Sequence, residues 1–204
     1  MQQHGGQVAD RHNMADRQQN RNELAEQTDE VLMQRVIARD QQAFELLAQR
    51  WSKRLVGYFL RHVGRQEPAE ELAQEVLISL WKAKSYSPSR PFRHWLYTLA
   101  HNRLNDALRR KRLPQLSLDE SPRDLASGES LEGAILARDE QAQLFQALQA
   151  LPENQRAVLI LSKFQDLDHA QIAGVLKCSR ASVKVMLFRA VRQLSRLFKE
   201  MHGE

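Results

Sequence analysis

Apolar residues recur every three or four positions along most of the chain, and no stretch shows the two-residue alternation of a β-strand. This spacing predicts a succession of helices. Several of the expected starts carry a side-chain oxygen or a proline, which favour the first helical turn. Helices are predicted to begin close to Thr28, Asp40, Glu67, Pro91, Asp139, Pro152, Asp168 and Ser179. The pattern therefore predicts an all-α protein.

Two stretches interrupt the helical pattern. Residues 1–27 are rich in Gln, Asn, Asp and Arg, and they carry too few large apolar side chains to offset chain entropy. Residues 113–138 hold two prolines, two glycines and four serines, and seven acidic residues against two basic ones lie between Ser117 and Glu140. We predict a disordered tail (1–27), a helical domain (28–112), an acidic flexible linker (113–138) and a second small helical domain (139–204).

The last predicted helix has two different faces. At 100° per residue its apolar side collects one set of residues, and we expect that side to pack on the core. The set is Val183, Leu187, Ala190, Val191, Leu194 and Leu197. The opposite side holds Ala181, Val185, Phe188, Arg189, Arg192 and Arg196, with Lys184 at its margin. From Lys177 to Lys199 there are seven basic residues and no acidic one, which a solvated helix seldom shows.

A short helix from Asp168 to Leu176, the turn "KCS" and this basic helix match a helix-turn-helix, whose second helix lies in a DNA major groove. The helix dipole accounts for basic residues near the C-terminus of this helix, but it disfavours Arg180 and Lys184 near its N-terminus. A polyanionic partner explains them, and an exposed Phe188 suits contact with a thymine methyl group. A plain helical hairpin is the alternative interpretation.

The first helical domain carries a second basic region. Between Lys82 and Arg112 there are nine Lys or Arg residues and one acid, Asp106, interleaved with aromatic residues. Basic side chains interleaved with aromatic rings are typical of proteins that bind single-stranded DNA. Helical spacing assigns Phe92 and Trp95 to the core, whereas Tyr86 lies in a predicted loop. The preceding helix begins with Glu67, Glu70, Glu71 and Glu75, which form either a solvated end or a surface for a protein partner.

Composition narrows the classes of function. The net charge of +5 suits a polyanionic partner, and the single cysteine excludes an internal disulfide. No signal peptide or membrane-length apolar run is present, so we expect a soluble, cytoplasmic protein. His94 and His101 can share a helical face, but no acid or cysteine completes a ligand set, and Gly-rich phosphate loops and GxSxG are absent. We therefore expect no enzyme activity, metal or cofactor, and a sensing role for Cys178 and His169 stays open.

Two segments resemble a known family. "AEELAQEVLISLWKAKSYSPSRPFRHWLYTLAHNRLNDALRRKR" (69–112) resembles the promoter-melting and minus-ten-reading region 2 of bacterial sigma factors. "LPENQRAVLILSKFQDLDHAQIAGVLKCSRASVKVMLFRAVRQL" (151–194) resembles their minus-thirty-five-reading region 4. Two such regions with a short linker and no third domain resemble the extracytoplasmic-function (ECF) class, group IV of the sigma-70 family. Two motif blocks in the right order are more specific than either alone.

The resemblance implies roles for individual residues. Polymerase binding, on the beta-prime clamp helices, would involve Glu71, Gln74, Glu75, Leu77 and Ile78. Capture of a flipped minus-ten base would involve the loop residues Lys84, Ser85, Tyr86, Ser87 and Arg90. Minus-ten DNA would also lie along Asn102, Arg103, Asp106, Arg109 and Arg110. The minus-thirty-five element would be read by Arg180, Ser182, Lys184, Phe188, Arg189 and Arg192. The partners implied are core RNA polymerase, including its beta flap, promoter DNA and an anti-sigma factor.

The sequence departs from the family pattern in two places. Many relatives carry Asp where Glu71 stands, and many carry a Ser-Arg pair where Val185-Met186 stands. Because Val185 lies on the outward face, the promoter sequence read should differ from that of typical relatives. The competing hypothesis is a stand-alone helix-turn-helix regulator with a helical N-terminal domain, which would bind duplex DNA without polymerase.

Overall fold

The computed structural model describes residues 24–112 and 142–202, so the predicted tail and linker lie almost wholly outside the described residues. Within these ranges all regular secondary structure is helical, which confirms the predicted all-α class. The described part of the chain after Thr28 contains eight helices: α1 (Asp29–Ile37), α2 (Gln41–Val63), α3 (Gln66–Trp81), α4 (Phe92–Arg112), α5 (142–149), α6 (Glu153–Lys163), α7 (His169–Leu176) and α8 (Arg180–His202).

The predicted capping residues set the starts of four helices. The Thr28 hydroxyl accepts from the Val31 N–H at 3.5 Å, and Asp40 Oδ1 accepts from the Ala43 N–H at 3.1 Å. Asp168 and Gln171 form the predicted capping box at the start of α7. Ser179 Oγ accepts from the N–H of residue 182 at 3.0 Å at the start of α8. These bonds satisfy N–H groups that have no partner inside the helix.

The described residues form two compact units. The first runs to Trp51 and resumes with Leu77–Phe92, whereas the second contains Ser52–Val76 and the chain from Arg93 onward. The helices α2, α3 and α4 each contribute to both. The domain boundaries proposed from the sequence follow chain order instead, and they stay a prediction.

The first unit is centred on α1 and the N-terminal half of α2. Trp51 packs edge-on against Phe92, with ring centroids 5.6 Å apart, and its indole N–H donates to Asp29 Oδ2 at 2.9 Å. Glu30 Oε1 accepts from the backbone N–H of Phe92 at 2.8 Å, and this bond lowers the pKa of the Glu30 carboxyl. Val31, although apolar, is 42% exposed, and the residues that α1 buries are Leu32, Met33 and Val36.

The second unit contains a buried aromatic layer. Tyr58 is fully buried and packs against Tyr97, with ring centroids 5.3 Å apart, and its hydroxyl lies 3.3 Å from His101 Nδ1. The Tyr97 hydroxyl donates to the buried side-chain oxygen of Gln165. Gln165 follows α6, so this hydrogen bond ties the N-terminal part of α4 to the turn between α6 and α7.

The helices α6, α7 and α8 form the predicted helix-turn-helix arrangement. Ala173 is 8% exposed and Val183 is fully buried, as expected for residues at the crossing of α7 and α8. Lys177 ends α7 in the left-handed conformation with φ 52°, which turns the chain sharply into α8. Leu144, Leu187 and Leu194 pack against a buried cluster. The cluster consists of Leu148, Leu151, Leu159 and Ala190.

The predicted core face of α8 needs one correction. Val183 and Ala190 are buried, whereas Leu187, Leu194 and Leu197 are only partly buried. Val191 is 43% exposed and therefore does not belong to the core. Its position, 80° around the helix from Val183, puts it at the margin of the buried side.

Candidate nucleic-acid interface

The outward face of α8 is exposed along the residues proposed to meet the minus-thirty-five element. All six are solvent-exposed: Arg180, Ser182, Lys184, Phe188, Arg189 and Arg192. Two apolar side chains stand among the cations, since Val185 is 48% exposed and Phe188 is 63% exposed. The guanidinium of Arg192 lies 5.9 Å from the centre of the Phe188 ring. The face therefore combines positive charge with apolar contact area.

Two shallow grooves flank this face. One is lined by Asp168, His169, Ala170, Arg180, Ala181 and Lys184, and it lies where α7 and α8 both begin. The other runs along the C-terminal half of α8, and Gln193 and Lys199 line it together with Gln155 of α6. The sequence had not placed His169 or Gln193 at this surface. With a helix-turn-helix assumed, the sequence could have predicted both positions. Gln193 follows Arg189 by four residues on the same helix, and His169 starts the helix that precedes Arg180.

The loop proposed for base capture is mostly exposed. Lys84, Ser85, Ser87 and Arg90 are exposed. Tyr86 is half-buried: its ring meets Phe92 edge-on at 6.2 Å between centroids, and its hydroxyl donates to the Arg90 carbonyl at 2.6 Å. Burial raises the pKa of Tyr86 to about 12, so its hydroxyl stays protonated at neutral pH. The ring thus supports the loop from within, and the exposed groups around it are free to face a nucleic acid.

The residues of α4 proposed to follow minus-ten DNA differ in exposure. Asn102, Arg109 and Arg110 are exposed, whereas Arg103 and Asp106 are half-buried. Arg109 Nη2 donates to Asp106 Oδ1 at 2.6 Å, and Arg110 Nε approaches the Asp106 carbonyl at 3.4 Å. The lone acid of this segment therefore lies against an arginine, which reduces its repulsion of a phosphate backbone.

The helix α3 presents the residues proposed for polymerase binding. Glu71, Gln74 and Ile78 are exposed, Ile78 to 51%, while Glu75 and Leu77 are half-buried. Spacings of three and four residues place 71, 74, 75 and 78 on one face of the helix. Glu75 Oε2 lies 3.8 Å from Arg103 Nη1. An exposed isoleucine beside carboxylates suits a protein partner better than a phosphate backbone.

The described residues include no cluster of three or more His, Cys, Asp or Glu side chains suited to a metal ion. Cys178 lies half-buried in the turn between α7 and α8, where its backbone N–H donates to the Ala173 carbonyl at 3.0 Å. Among the helices of the described ranges, none combines the length and apolarity that crossing a lipid bilayer requires.

Comparison with known proteins covers both halves of the chain. Residues 47–113 match the model for Sigma-70 region 2, and residues 141–194 match the model for Sigma-70, region 4. The ECF RNA polymerase sigma factor RpoE of Cereibacter sphaeroides is 32% identical over 178 residues, covering 83% of this chain and 95% of the relative. RNA polymerase sigma-H factor of Pseudomonas aeruginosa is 29% identical over 191 residues, covering 89% and 99%.

Solved structures agree with the fold. CnrH, in complex with the cytosolic domain of CnrY, superposes with a TM-score of 0.65 at 25% identity, over 84% of this chain and 97% of CnrH. RpoE of Bartonella quintana, in complex with the anti-sigma factor NepR, superposes with a TM-score of 0.62 at 20% identity, over 76% and 96%. Together with the helix-turn-helix and its acid-free basic face, these matches show that the chain belongs to the ECF class of the sigma-70 family of RNA polymerase sigma factors.

Proposed function

We propose that this sigma factor, acting without catalysis of its own, brings core RNA polymerase to its promoters by reading duplex DNA with α8 and melted DNA with the loop 84–90. The observation that carries the proposal is the outward face of α8, where exposed cations surround Val185 and Phe188 and no acidic residue occurs before Glu200. Such a face attracts phosphates along its length and presents side chains to base edges.

The other surfaces complete this proposal. The exposed face of α3 would dock on the beta-prime clamp helices, and α8 with its neighbours would reach the beta flap. Asn102 and Arg109 would follow minus-ten DNA beside the captured base. The predicted domains (28–112 and 139–204) would then act as two tethered DNA contacts, whose linker raises the effective concentration of the second contact once the first has formed.

We further infer an anti-sigma partner that holds the protein inactive in the cytoplasm. The family resemblance implies one, and the two structural relatives were each solved with a second protein bound, named as an anti-sigma factor in the case of NepR. A pull-down with the tagged chain, read by mass spectrometry against a tagged control, tests this: one stoichiometric partner that blocks promoter-specific transcription supports the inference. Absence of any inhibitory partner contradicts it.

The deciding experiment is reconstituted transcription. The purified chain is added to core polymerase on a genomic library in vitro, and transcript starts are mapped. We expect discrete starts that share two upstream elements and that vanish when the chain is omitted. A stand-alone regulator would instead bind promoter duplex tightly by itself and leave core polymerase without promoter choice. That outcome would overturn the proposed sigma-factor function.

Substitutions on the two faces of α8 should cause different defects, one in DNA binding and one in stability. Arg189→Ala should reduce promoter binding by about tenfold, since one charge-assisted phosphate or base contact is lost, with unchanged stability. Leu187→Ala should lower the free energy of unfolding by about 2 kcal/mol, near the lower end for leucine because Leu187 is only partly buried. Holoenzyme binding to promoter duplex and urea unfolding measure the two effects. Full promoter use by Arg189→Ala would show that the assignment of the faces is wrong.

Ile78 tests the polymerase surface. Ile78→Ala should weaken binding to core polymerase by about tenfold, because the exposed apolar side chain of the proposed surface is removed. Val31→Ala is the matched control, since Val31 is 42% exposed on α1, outside the proposed surface. Competition between labelled wild type and each variant for limiting core polymerase measures the difference. Equal affinities for the two variants would place the polymerase contact elsewhere.

A further inference from the structure

Val185 and Phe188 form an apolar pair in the middle of the basic face of α8. Val185 is 48% exposed and Phe188 is 63% exposed, and they lie three residues apart, about one turn along the helix. Exposed apolar area is unfavourable in water, and here it is surrounded by groups that seek phosphate: Lys184, Arg189 and Arg192. The pair therefore suits a partner that is anionic at its edges and apolar at one point.

The major groove of B-DNA offers such a partner. Each base edge presents hydrogen-bond donors and acceptors, and thymine adds the one apolar group, its C5-methyl. A valine side chain can neither donate nor accept a hydrogen bond, so it gains from a thymine methyl and loses against a polar edge. The helix places Val185 in its second turn and Phe188 in its third, which is the part of a recognition helix that faces base edges.

The structure also separates Val185 from its neighbour Met186. Val185 lies 200° around the helix from the buried Val183, on the outward side, whereas Met186 lies 60° from Val183 and is half-buried. Of the two residues of α8 that depart from the family pattern, only Val185 therefore reaches the outward side. Phe188 lies next to it on the same side, with Arg192 beside its ring.

We propose that Val185 is a specificity residue that packs on the methyl group of a thymine in the minus-thirty-five element, with Phe188 covering the adjacent base pair. This inference rests on the proposed function and adds the base that α8 selects: an A·T pair with its thymine methyl turned toward Val185. A serine at this position, as in many relatives, would instead exchange hydrogen bonds with the base edge.

Uracil isolates the methyl group, because a thymine-to-uracil exchange removes that group and leaves every hydrogen bond intact. Promoter duplex is taken from the mapped transcript starts, and each thymine of the minus-thirty-five element is replaced singly by uracil. Holoenzyme containing the full chain should lose about fourfold in affinity at one of these thymines, the worth of one methyl group removed from water. Val185→Ala should bind the thymine duplex as weakly as wild type binds the uracil duplex, and the exchange should no longer affect it.

Val191→Ala is the matched control. Val191 is the same residue type on the same helix at 43% exposure, but it lies 120° away from Val185 around the helix. It should keep both the affinity and the thymine preference of wild type. The proposal is overturned if wild type tolerates uracil at every position, or if Val185→Ala retains the full uracil effect. Either result leaves promoter-specific initiation intact, whereas loss of all promoter choice with wild type overturns the proposed function itself.

Discussion

Arg156→Ala is expected to lower the free energy of unfolding by about 2–4 kcal/mol, although Arg156 lies outside every proposed interface. The guanidinium is half-buried at the start of α6 and donates hydrogen bonds to three backbone carbonyls. Its Nη1 donates to the His62 carbonyl at 2.8 Å, and its Nη2 donates to the carbonyls of Gln149 at 2.7 Å and Leu151 at 3.0 Å. A fourth bond, from Nη1 to Gln149 Oε1, measures 2.7 Å.

The cost follows from what alanine leaves behind. Carbonyl groups in this part-buried site lose their donor, and burial already lowers the pKa of the guanidinium, so the charge has been partly taken out of water to make these bonds. The contact with the His62 carbonyl also ties the end of α2 to the α5–α6 turn. Gln149 Nε2 strengthens the same junction by donating to the Arg61 carbonyl at 2.9 Å.

Two controls sharpen the Arg156 measurement. Arg156→Lys keeps the charge but loses the planar fork, so we expect an intermediate loss of stability. Arg196→Ala removes an exposed arginine whose Nε lies 3.5 Å from Glu200 Oε1, and an exposed ion pair of this kind should cost less than about 1 kcal/mol. Urea unfolding followed by circular dichroism gives all three values. A loss for Arg156→Ala no greater than that for Arg196→Ala would contradict the structural role.

Acid is expected to destabilise the second unit by about 3 kcal/mol through His101 alone. Burial lowers the pKa of His101 from 6.5 to about 4, against an opposing influence from Glu153 and a reinforcing one from Lys177. Burial likewise lowers the pKa of His62, which is 5% exposed, with further lowering from His101 and Arg156. Both imidazoles are therefore neutral in the folded protein and take up protons more readily when it unfolds.

The sign of the pH dependence follows from that difference. Above pH 6.5 His101 is neutral in both the folded and the unfolded state, so its protonation does not change the free energy of unfolding there. As the pH falls from 6.5 towards 4, the unfolded state binds a proton that the folded state refuses, and stability is lost over that window. His62 adds to this loss as the pH falls below 6.5, because burial holds the pKa of its imidazole well below 6.5 in the folded protein.

The measurement is urea unfolding at pH 7.5 and pH 4.5, compared between wild type and His101→Asn. The variant should lose about 2 kcal/mol less than wild type between these two pH values, since one buried titrating group is gone. His169→Asn removes a histidine at the start of α7, away from this cluster, and serves as control. If His101→Asn and wild type respond identically to acid, the imidazole is not buried as a neutral group.

The helix starts could be predicted because their causes are local. Thr28, Asp40, Asp168 and Ser179 each accept from an N–H within three residues along the chain, so the cap and its partner are visible in one short window. The outward face of α8 was predictable for the same reason. The angle between two side chains on one helix depends only on their separation in sequence.

Which apolar residues lie in the core depends on neighbours that a helical wheel does not contain. Val31 and Val191 have the right spacing for burial, yet they are 42% and 43% exposed, because the helices of the described ranges cover their side of α1 and α8 only in part. Tyr86 had the appearance of a free loop aromatic, but Phe92 lies beside its ring. A helical wheel gives the direction in which a side chain leaves the helix axis, but it does not show which neighbouring residues lie in that direction.

The sequence by itself determined the helical class, the caps, the basic face of α8 and, through two motif blocks, the family. Only the tertiary structure decided that Val31 and Val191 stay exposed, and that Arg156, His62 and His101 share a buried polar junction. The physical reason is sequence distance. Arg156 and the His62 carbonyl are 94 residues apart, and Tyr58 and His101 are 43 apart, so these bonds exist only once the helices have packed.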